Sequence, residues 1–242
     1  MNLGILLRSC LFALFQIVVT PIFTVIALAS FPFAPLTRYH IISWWARINI
    51  AAVRILCGIR YRVIGSGHIP GEPCIILSKH QSAWETLAYQ VIFPPQVWVL
   101  KRELLWVPFF GWGLAMLSPI AIDRRAGTRA LKQMFDQGRE RLKQGFSIVM
   151  FPEGTRIAPG KRGKYHQGGA WLAVQTGAPV VPVAHNAGEF WRRNAFLKHP
   201  GLITVSIGAP ISPQNLSAGQ LNEQVENWIE SEMQRISTHG QS

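Results

Sequence analysis

A chain of 242 residues, 49% hydrophobic and only 15% charged, lies on the membrane side of ordinary soluble usage and has room for one sizeable domain plus an appendage, not two full domains. With 24 Lys and Arg against 12 Asp and Glu, its formal charge of +12 calls for anionic partners: phosphate headgroups, a nucleic acid or an acidic carrier protein. The cysteines Cys10, Cys57 and Cys74 are odd in number, sit in apolar contexts and lack ligand spacing, which argues against a disulfide framework or a zinc site.

In chain order, residues 1–71 hold six arginines and no Asp or Glu. Within them, residues 10–33 form a nearly unbroken apolar run whose length suits a membrane span, while Pro21 and the nearby threonines suit a kinked or re-entrant segment. A cleaved secretory signal is the competing reading, because Ala27-Leu28-Ala29 imitates a cleavage site, but the run is too long for a typical signal core. Residues 39–57 interleave Trp44, Trp45 and aliphatics with Arg47 and Arg54, as expected of an interfacial amphipathic helix; packing on the domain core is the alternative. Together the two segments predict an anchor over residues 1–58 that docks on one leaflet, followed by a catalytic domain over 59–242.

From Gly58 onward short β-rich runs alternate with helical stretches, which predicts an α/β domain with a mixed, largely buried sheet flanked by helices. Strands are expected at 60–64, 74–78, 97–100, 119–122, 147–151, 180–184 and 203–207. Helices are expected at 128–144, with Thr128 as N-cap, at 170–176, and after a capping pair formed by Ser217 and Gln220.

Four charged motifs follow candidate strands. In the first, Ser78-Lys79-His80-Gln81-Ser82-Ala83-Trp84-Glu85, a continuous helix would place Glu85 ~140° round from His80, so the two meet only if the chain turns between them. Ser82 with Glu85 reads as a capping box that starts a helix at Ser82 and turns the carboxylate back toward His80. Taken alone, that stretch is equally an ordinary helix cap. The second, Phe151-Pro152-Glu153-Gly154-Thr155-Arg156, places an arginine and a hydroxyl on a tight turn where they can bind a phosphate. Lys101-Arg102-Glu103-Leu104 and Ile122-Asp123-Arg124-Arg125 add cations after two more strands. These converge on one rim if the strands run parallel. Between them the apolar residues 105–117 read as core or as the lining of an acyl-chain pocket. No Gly-x-Ser-x-Gly elbow is present, so His80 would act directly on a substrate hydroxyl as a general base.

The ordered set of His80-x4-Glu85, Lys101-x-Glu103-Leu104, Pro119-Ile-Ala-Ile-Asp-Arg124, Phe-Pro-Glu153-Gly-Thr-Arg156 and Val180-Val-Pro182-Val resembles the four-motif pattern of the glycerolipid acyltransferases, most closely the bacterial 1-acyl-sn-glycerol-3-phosphate acyltransferases. The resemblance covers residues 61–184 and implies a His80–Glu85 dyad. In that dyad His80 deprotonates the glycerol 2-hydroxyl for attack on an acyl thioester, carried by acyl carrier protein or coenzyme A. It implies phosphate contacts at Lys101 and Arg156, a glycerol or phosphate contact at Arg124, acceptor binding and site shape at Glu153, Gly154 and Thr155, and a role in donor binding or catalysis at Pro182. The motifs supply a proton acceptor and cationic clamps and show no ligand cluster, so no metal or cofactor is expected, and the tryptophans lie in apolar runs without the basic interleaving of a single-strand binder, so no nucleic-acid partner is expected. Lysophosphatidic acid and membrane lipid would be the partners, on the cytoplasmic face of the inner membrane. Two departures stand out: Glu85 replaces the usual Asp, and His166 precedes Gln167-Gly168-Gly169 where a Lys is common. The same motifs would also serve glycerol 3-phosphate, another lysophospholipid or a lyso-ornithine lipid as acceptor. The charge alone would equally suit a non-catalytic basic protein that binds membranes or nucleic acid.

Overall fold

The computed structural model describes residues 2–123 and 127–237. It opens with two helices, α1 (Leu3–Ala29) and α2 (Pro35–Cys57), packed side by side. Asn2 caps α1, its side-chain oxygen accepting from the Gly4 amide. The helix then continues through Pro21. Only a narrow stripe of α1 is buried, marked by Ser9, Phe12, Thr24 and Ala27, while Leu3, Leu7, Leu14, Ile17 and Val25 point outward. Among the described residues it is the one helix long and apolar enough to cross a membrane.

Helix α2 differs from the interfacial expectation. Tyr39, Ile42, Ala46, Ile50, Val53 and Cys57 recur at helical spacing and are all buried, so a full face of α2 belongs to the core and lies against α3 (Trp84–Ile92) as well as α1. Its outward side still carries Trp44 and Ile55, with Arg47 over the Trp44 ring. Apolar residues thus stand both on the buried face and, as Trp44 and Ile55, on the outward one, which is why periodicity could not assign its faces. Gly58 ends it in the left-handed conformation, φ 70°, the usual helix stop.

Seven strands follow: β1 (Ile59–Ile64), β2 (Ile75–Ser78), β3 (Gln96–Lys101), β4 (Ile120–Ile122), β5 (Ser147–Met150), β6 (Val180–His185) and β7 (Gly201–Ile207). Each falls within two residues of its expected place, because most are apolar runs bounded by turn residues, while β1 alternates Ile59, Tyr61 and Val63 with Arg60 and Arg62. They form one sheet in the order β1-β7-β6-β2-β5-β3-β4. Every neighbouring pair is parallel except β6 with β7. Strands β2 and β6 are buried along their whole length, as a strand covered by helices must be. The sheet is thus the mixed, helix-flanked one predicted.

Between strands lie α4 (Phe110–Ala115), α5 (Thr128–Lys143) and α6 (Gly168–Thr176), and α7 (Ala218–Ile236) closes the chain. Helix α5 begins at Thr128 with Gly127 in the cap position, one residue before the cap expected. Helix α7 starts with the predicted box: Ser217 accepts from the Gln220 amide while the Gln220 side chain accepts from the Ser217 amide.

Five parallel strands, β6, β2, β5, β3 and β4, end on the same side. Loops leaving a parallel sheet at its carboxyl edge form a crevice beside the central strands. That geometry brings the strand-end motifs together.

Candidate active site

His80 sits two residues beyond the end of β2, and its backbone is fixed on every side. The Lys79 amide donates to the Val183 carbonyl (2.9 Å), the His80 amide to Glu153 Oε2 (3.0 Å), and the His80 carbonyl accepts from the Ile157 amide (2.8 Å). The chain then turns into α3, and Glu85 in its first turn points back as the spacing required. Its Oε1 lies 2.7 Å from His80 Nδ1 and also accepts from the amides of Gln81 (3.0 Å) and Ser82 (2.8 Å). The predicted capping box forms only in its Glu85 half. Ser82 Oγ accepts from the Trp84 amide at 3.1 Å, and the helix begins at Trp84, not Ser82. This later start gives the longer Glu85 room to fold back beneath the imidazole.

Glu85 is fully buried, and its Oε2 has no hydrogen-bond partner. Burial works against its charge, but the imidazole of His185 and the hydrogen bonds from His80 and the Ser82 amide outweigh it and hold the carboxyl below its usual range. An ionised Glu85 accepts the Nδ1 proton of His80, which leaves the lone pair on Nε2. The ring lies flat on Phe151, centroids 3.9 Å apart, and lines the main cavity. Beneath it, His185 is buried within 2.8 Å of the Lys79 carbonyl through Nε2.

The cavity holds about 830 Å3, the size of a site for a lipid-sized ligand. Its lining includes the cations Lys101, Arg156 and Arg193, together with Gly154 and Thr155. Gly154 takes φ 66°, the tight turn that its motif called for. Its apolar lining includes Phe109, Phe110 and Leu117 from the 105–117 stretch, together with Phe23 of α1 and Trp45 of α2. Part of that stretch therefore serves as lining while Trp106 and Trp112 are exposed, and the N-terminal helices help to wall the site. Phe109 holds φ 60°, an uncommon conformation for a bulky residue. Its carbonyl lies 3.0 Å from Thr24 Oγ1 on α1, so that turn is tied to the N-terminal helix.

Two expected site residues occupy other places. Glu153, expected among the acceptor contacts, is buried under the site: Oε1 accepts from Lys79 Nζ (2.7 Å) and the Gly163 amide (3.3 Å), and Oε2 from the His80 amide. It shapes the floor and does not line the cavity. Pro182, expected as an acyl-donor or structural position, is buried in the middle of β6 opposite Leu77, the structural one of those two places. It packs where Gly208 lets β7, β6 and α7 approach, for a Cβ on Gly208 would stand 2.8 Å from the proline ring and 2.7 Å from Trp228. Gly208→Ala is accordingly expected to lower stability by ~1–3 kcal/mol through overpacking, read as a fall in thermal midpoint. Arg124 lies outside the described residues.

Arg193 was not found from the sequence. It follows β6 in a Trp-Arg-Arg-Asn turn without motif character, and its Nη1 donates to the Arg156 carbonyl at 3.0 Å. Lys79 was passed over too: the side chain next to the catalytic-type histidine is 1% exposed and points away from the cavity into a carboxylate cluster.

A model of the acyltransferase family matches residues 60–186. The chain is 48% identical over 216 residues to the 1-acyl-sn-glycerol-3-phosphate acyltransferase of Pseudomonas aeruginosa, covering 86% of this chain and 84% of that one. It is 30% identical over 205 residues to the human 1-acyl-sn-glycerol-3-phosphate acyltransferase alpha, covering 80% of this chain and 71% of that one. The crystal structure of the lysophosphatidic acid acyltransferase PlsC from Thermotoga maritima superposes with a TM-score of 0.81 over 98% of this chain and 99% of that one, at 22% identity. This likeness establishes the fold.

Proposed function

The chain belongs to the acyltransferase family, and from that premise we propose that it transfers an acyl group from a thioester to the sn-2 hydroxyl of 1-acyl-sn-glycerol 3-phosphate, giving phosphatidic acid. The observation that carries the reading is the free Nε2 of a Glu85-oriented His80 in a cavity lined by cations as well as by aromatic and aliphatic side chains. A phosphate bearing a glycerol and an acyl chain matches that lining.

In this reading Lys101, Arg156 and Arg193 hold the phosphate and bring the 2-hydroxyl to His80. Nε2 takes the hydroxyl proton as the oxygen attacks the thioester carbonyl, and Glu85 stabilises the imidazolium that forms. The tetrahedral intermediate then collapses with cleavage of the carbon–sulfur bond, and His80 returns its proton to the departing thiolate. The donor is the thioester of acyl carrier protein or coenzyme A, both anionic and suited to a chain of +12.

The membrane reading follows from α1. It is bound to the body at both ends, by Ser9 Oγ accepting from the Lys198 amide (3.0 Å) and by Thr24 at Phe109, about 22 Å apart along the helix. Its outward aliphatics and the exposed Trp44 and Ile55 of α2 then enter one leaflet of the inner membrane, with the cavity open to the cytoplasmic side.

The phosphate assignment has a direct test. A hydrogen bond to a charged group contributes ~1.5–3 kcal/mol, so Arg156→Ala is expected to raise the KM for lysophosphatidate about 10- to 100-fold, with a smaller change in kcat. An unchanged KM for this acceptor excludes a phosphate contact at Arg156.

A further inference from the structure

We propose that Glu230 on the C-terminal helix α7 is a positioning residue for His80, acting through Lys79 and Glu153; the proposal rests on His80 as the base. Lys79 Nζ lies 2.7 Å from Glu153 Oε1, 2.7 Å from Glu230 Oε1 and 3.4 Å from the Lys161 carbonyl. Three ammonium hydrogens thus meet three acceptors. Lys79 and Glu153 are buried, and Glu230 is 17% exposed. One ammonium holds two carboxylates in a place where an unpaired charge is costly.

The cluster is connected to the site through backbone. Glu153 uses Oε1 for Lys79 and Oε2 for the His80 amide, so any movement of the ammonium changes the pull on the carboxylate that holds His80. The Lys79 carbonyl is bound by His185 on the other side. Lys79 is therefore held at its backbone by β6 and at its tip by α7.

Glu230 is itself fixed. Tyr165 donates its hydroxyl to the same Oε1 at 2.7 Å, and its ring lies 5.9 Å from Lys79 Nζ. Burial, and then that hydrogen bond, push the Tyr165 phenol far above its ordinary pKa, so it remains a donor throughout the working range. The helix below is seated by Leu221, Val225, Ile229 and Met233, and Arg162 Nε reaches Glu226 one turn earlier at 3.0 Å. A rigid helix, a two-carboxylate clamp and one lysine thus join the last element of the chain to the residue that takes the proton.

A purely structural cluster would change how much enzyme is folded, and a substrate contact would change KM. A positioning cluster changes kcat. In purified full-length protein, Glu230→Ala is expected to lower kcat per folded molecule about tenfold, within the ~10²-fold cost of a 1 Å misplacement. The KM for acceptor and donor should stay within twofold, and Glu230→Gln, which keeps an acceptor oxygen at the same reach, should restore most of the rate. Where Glu230→Ala fails to fold, Tyr165→Phe, which deletes one hydroxyl from the same carboxylate, should show a smaller drop in kcat at constant KM. A folded Glu230→Ala or Tyr165→Phe enzyme with wild-type kcat overturns the proposal, as does a rise in KM without loss of kcat. Rates are scaled to wild type with the acceptor that the wild type turns over, so the comparison is independent of which acceptor that is.

Discussion

His80→Ala is expected to lower kcat by ~10²–10⁴-fold, the usual contribution of a positioned general base, with little change in the KM for lysophosphatidate. The expectation follows from where the groups sit in the chain. In the proposed reading the cations that hold the phosphate come from the end of β3 and from the segments after β5 and β6, whereas the proposed base lies after β2. Removing the imidazole therefore spares binding. The fold should survive, because Glu85 Oε1 keeps its bonds from the amides of Gln81 and Ser82 and the imidazole is itself partly exposed. Steady-state rates with product detection by mass, alongside a thermal melt, separate the two. Normal turnover by a folded His80→Ala enzyme excludes the mechanism.

The second large effect is at Glu85. Glu85→Gln keeps the side-chain volume but supplies no charge to offset the imidazolium, and its amide can present an N–H to Nδ1 in place of an acceptor. A fall in kcat of about 10²-fold or more is expected, within the range seen when general-base catalysis is lost. Glu85→Asp tests the geometry: withdrawing one methylene moves the carboxylate on the ~1 Å scale at which catalytic rates are sensitive. In this chain the helix starts at Trp84 and the loop is shaped around the longer acid, so Asp is expected to be worse than Glu although Asp is the usual residue of the pattern that the sequence resembles. Stability gives an independent reading. A carboxyl held below its ordinary range contributes stability that is full above the unfolded carboxylate pKa of ~4.3 and is lost as pH falls through the lower folded value. Glu85→Gln should remove that part of the acid limb. An Asp enzyme as fast as wild type would show that the loop does not select for Glu.

The sheet was readable in the sequence because its strands are short apolar or, in β1, alternating runs cut off by glycine, proline or charge, a local property. The His80–Glu85 pair was readable because five residues cannot share a helical face, so their meeting implied a turn. Convergence of Lys101 and Arg156 needed one further step, the parallel sheet, which the alternation of strands and helices supplied.

What escaped depended on long-range contacts. Arg193 joins the site through a contact 37 residues back along the chain, and Lys79 meets Glu230 across 151 residues. Neither pairing leaves a local pattern. Glu153 was legible as important but not as buried, since a carboxylate beside Arg156 looks the same in sequence whether it faces the cavity or the floor. Helix α2 was placed on the membrane surface because its tryptophans and aliphatics interleave with arginines, core packing being the alternative, and only packing against α3 reveals which face is core.

The most direct test of the central claim is an acceptor competition resolved by product mass. Purified full-length protein in mixed micelles would be given 1-acyl-sn-glycerol 3-phosphate, glycerol 3-phosphate, a 1-acyl glycerophosphocholine and a lyso-ornithine lipid together, with an acyl carrier protein or coenzyme A thioester. Phosphatidate carrying the new chain at sn-2 is the predicted main product, and it should vanish with His80→Ala. Acylation of another acceptor in its place, or phosphatidate formed equally well by the His80→Ala protein, would contradict the account.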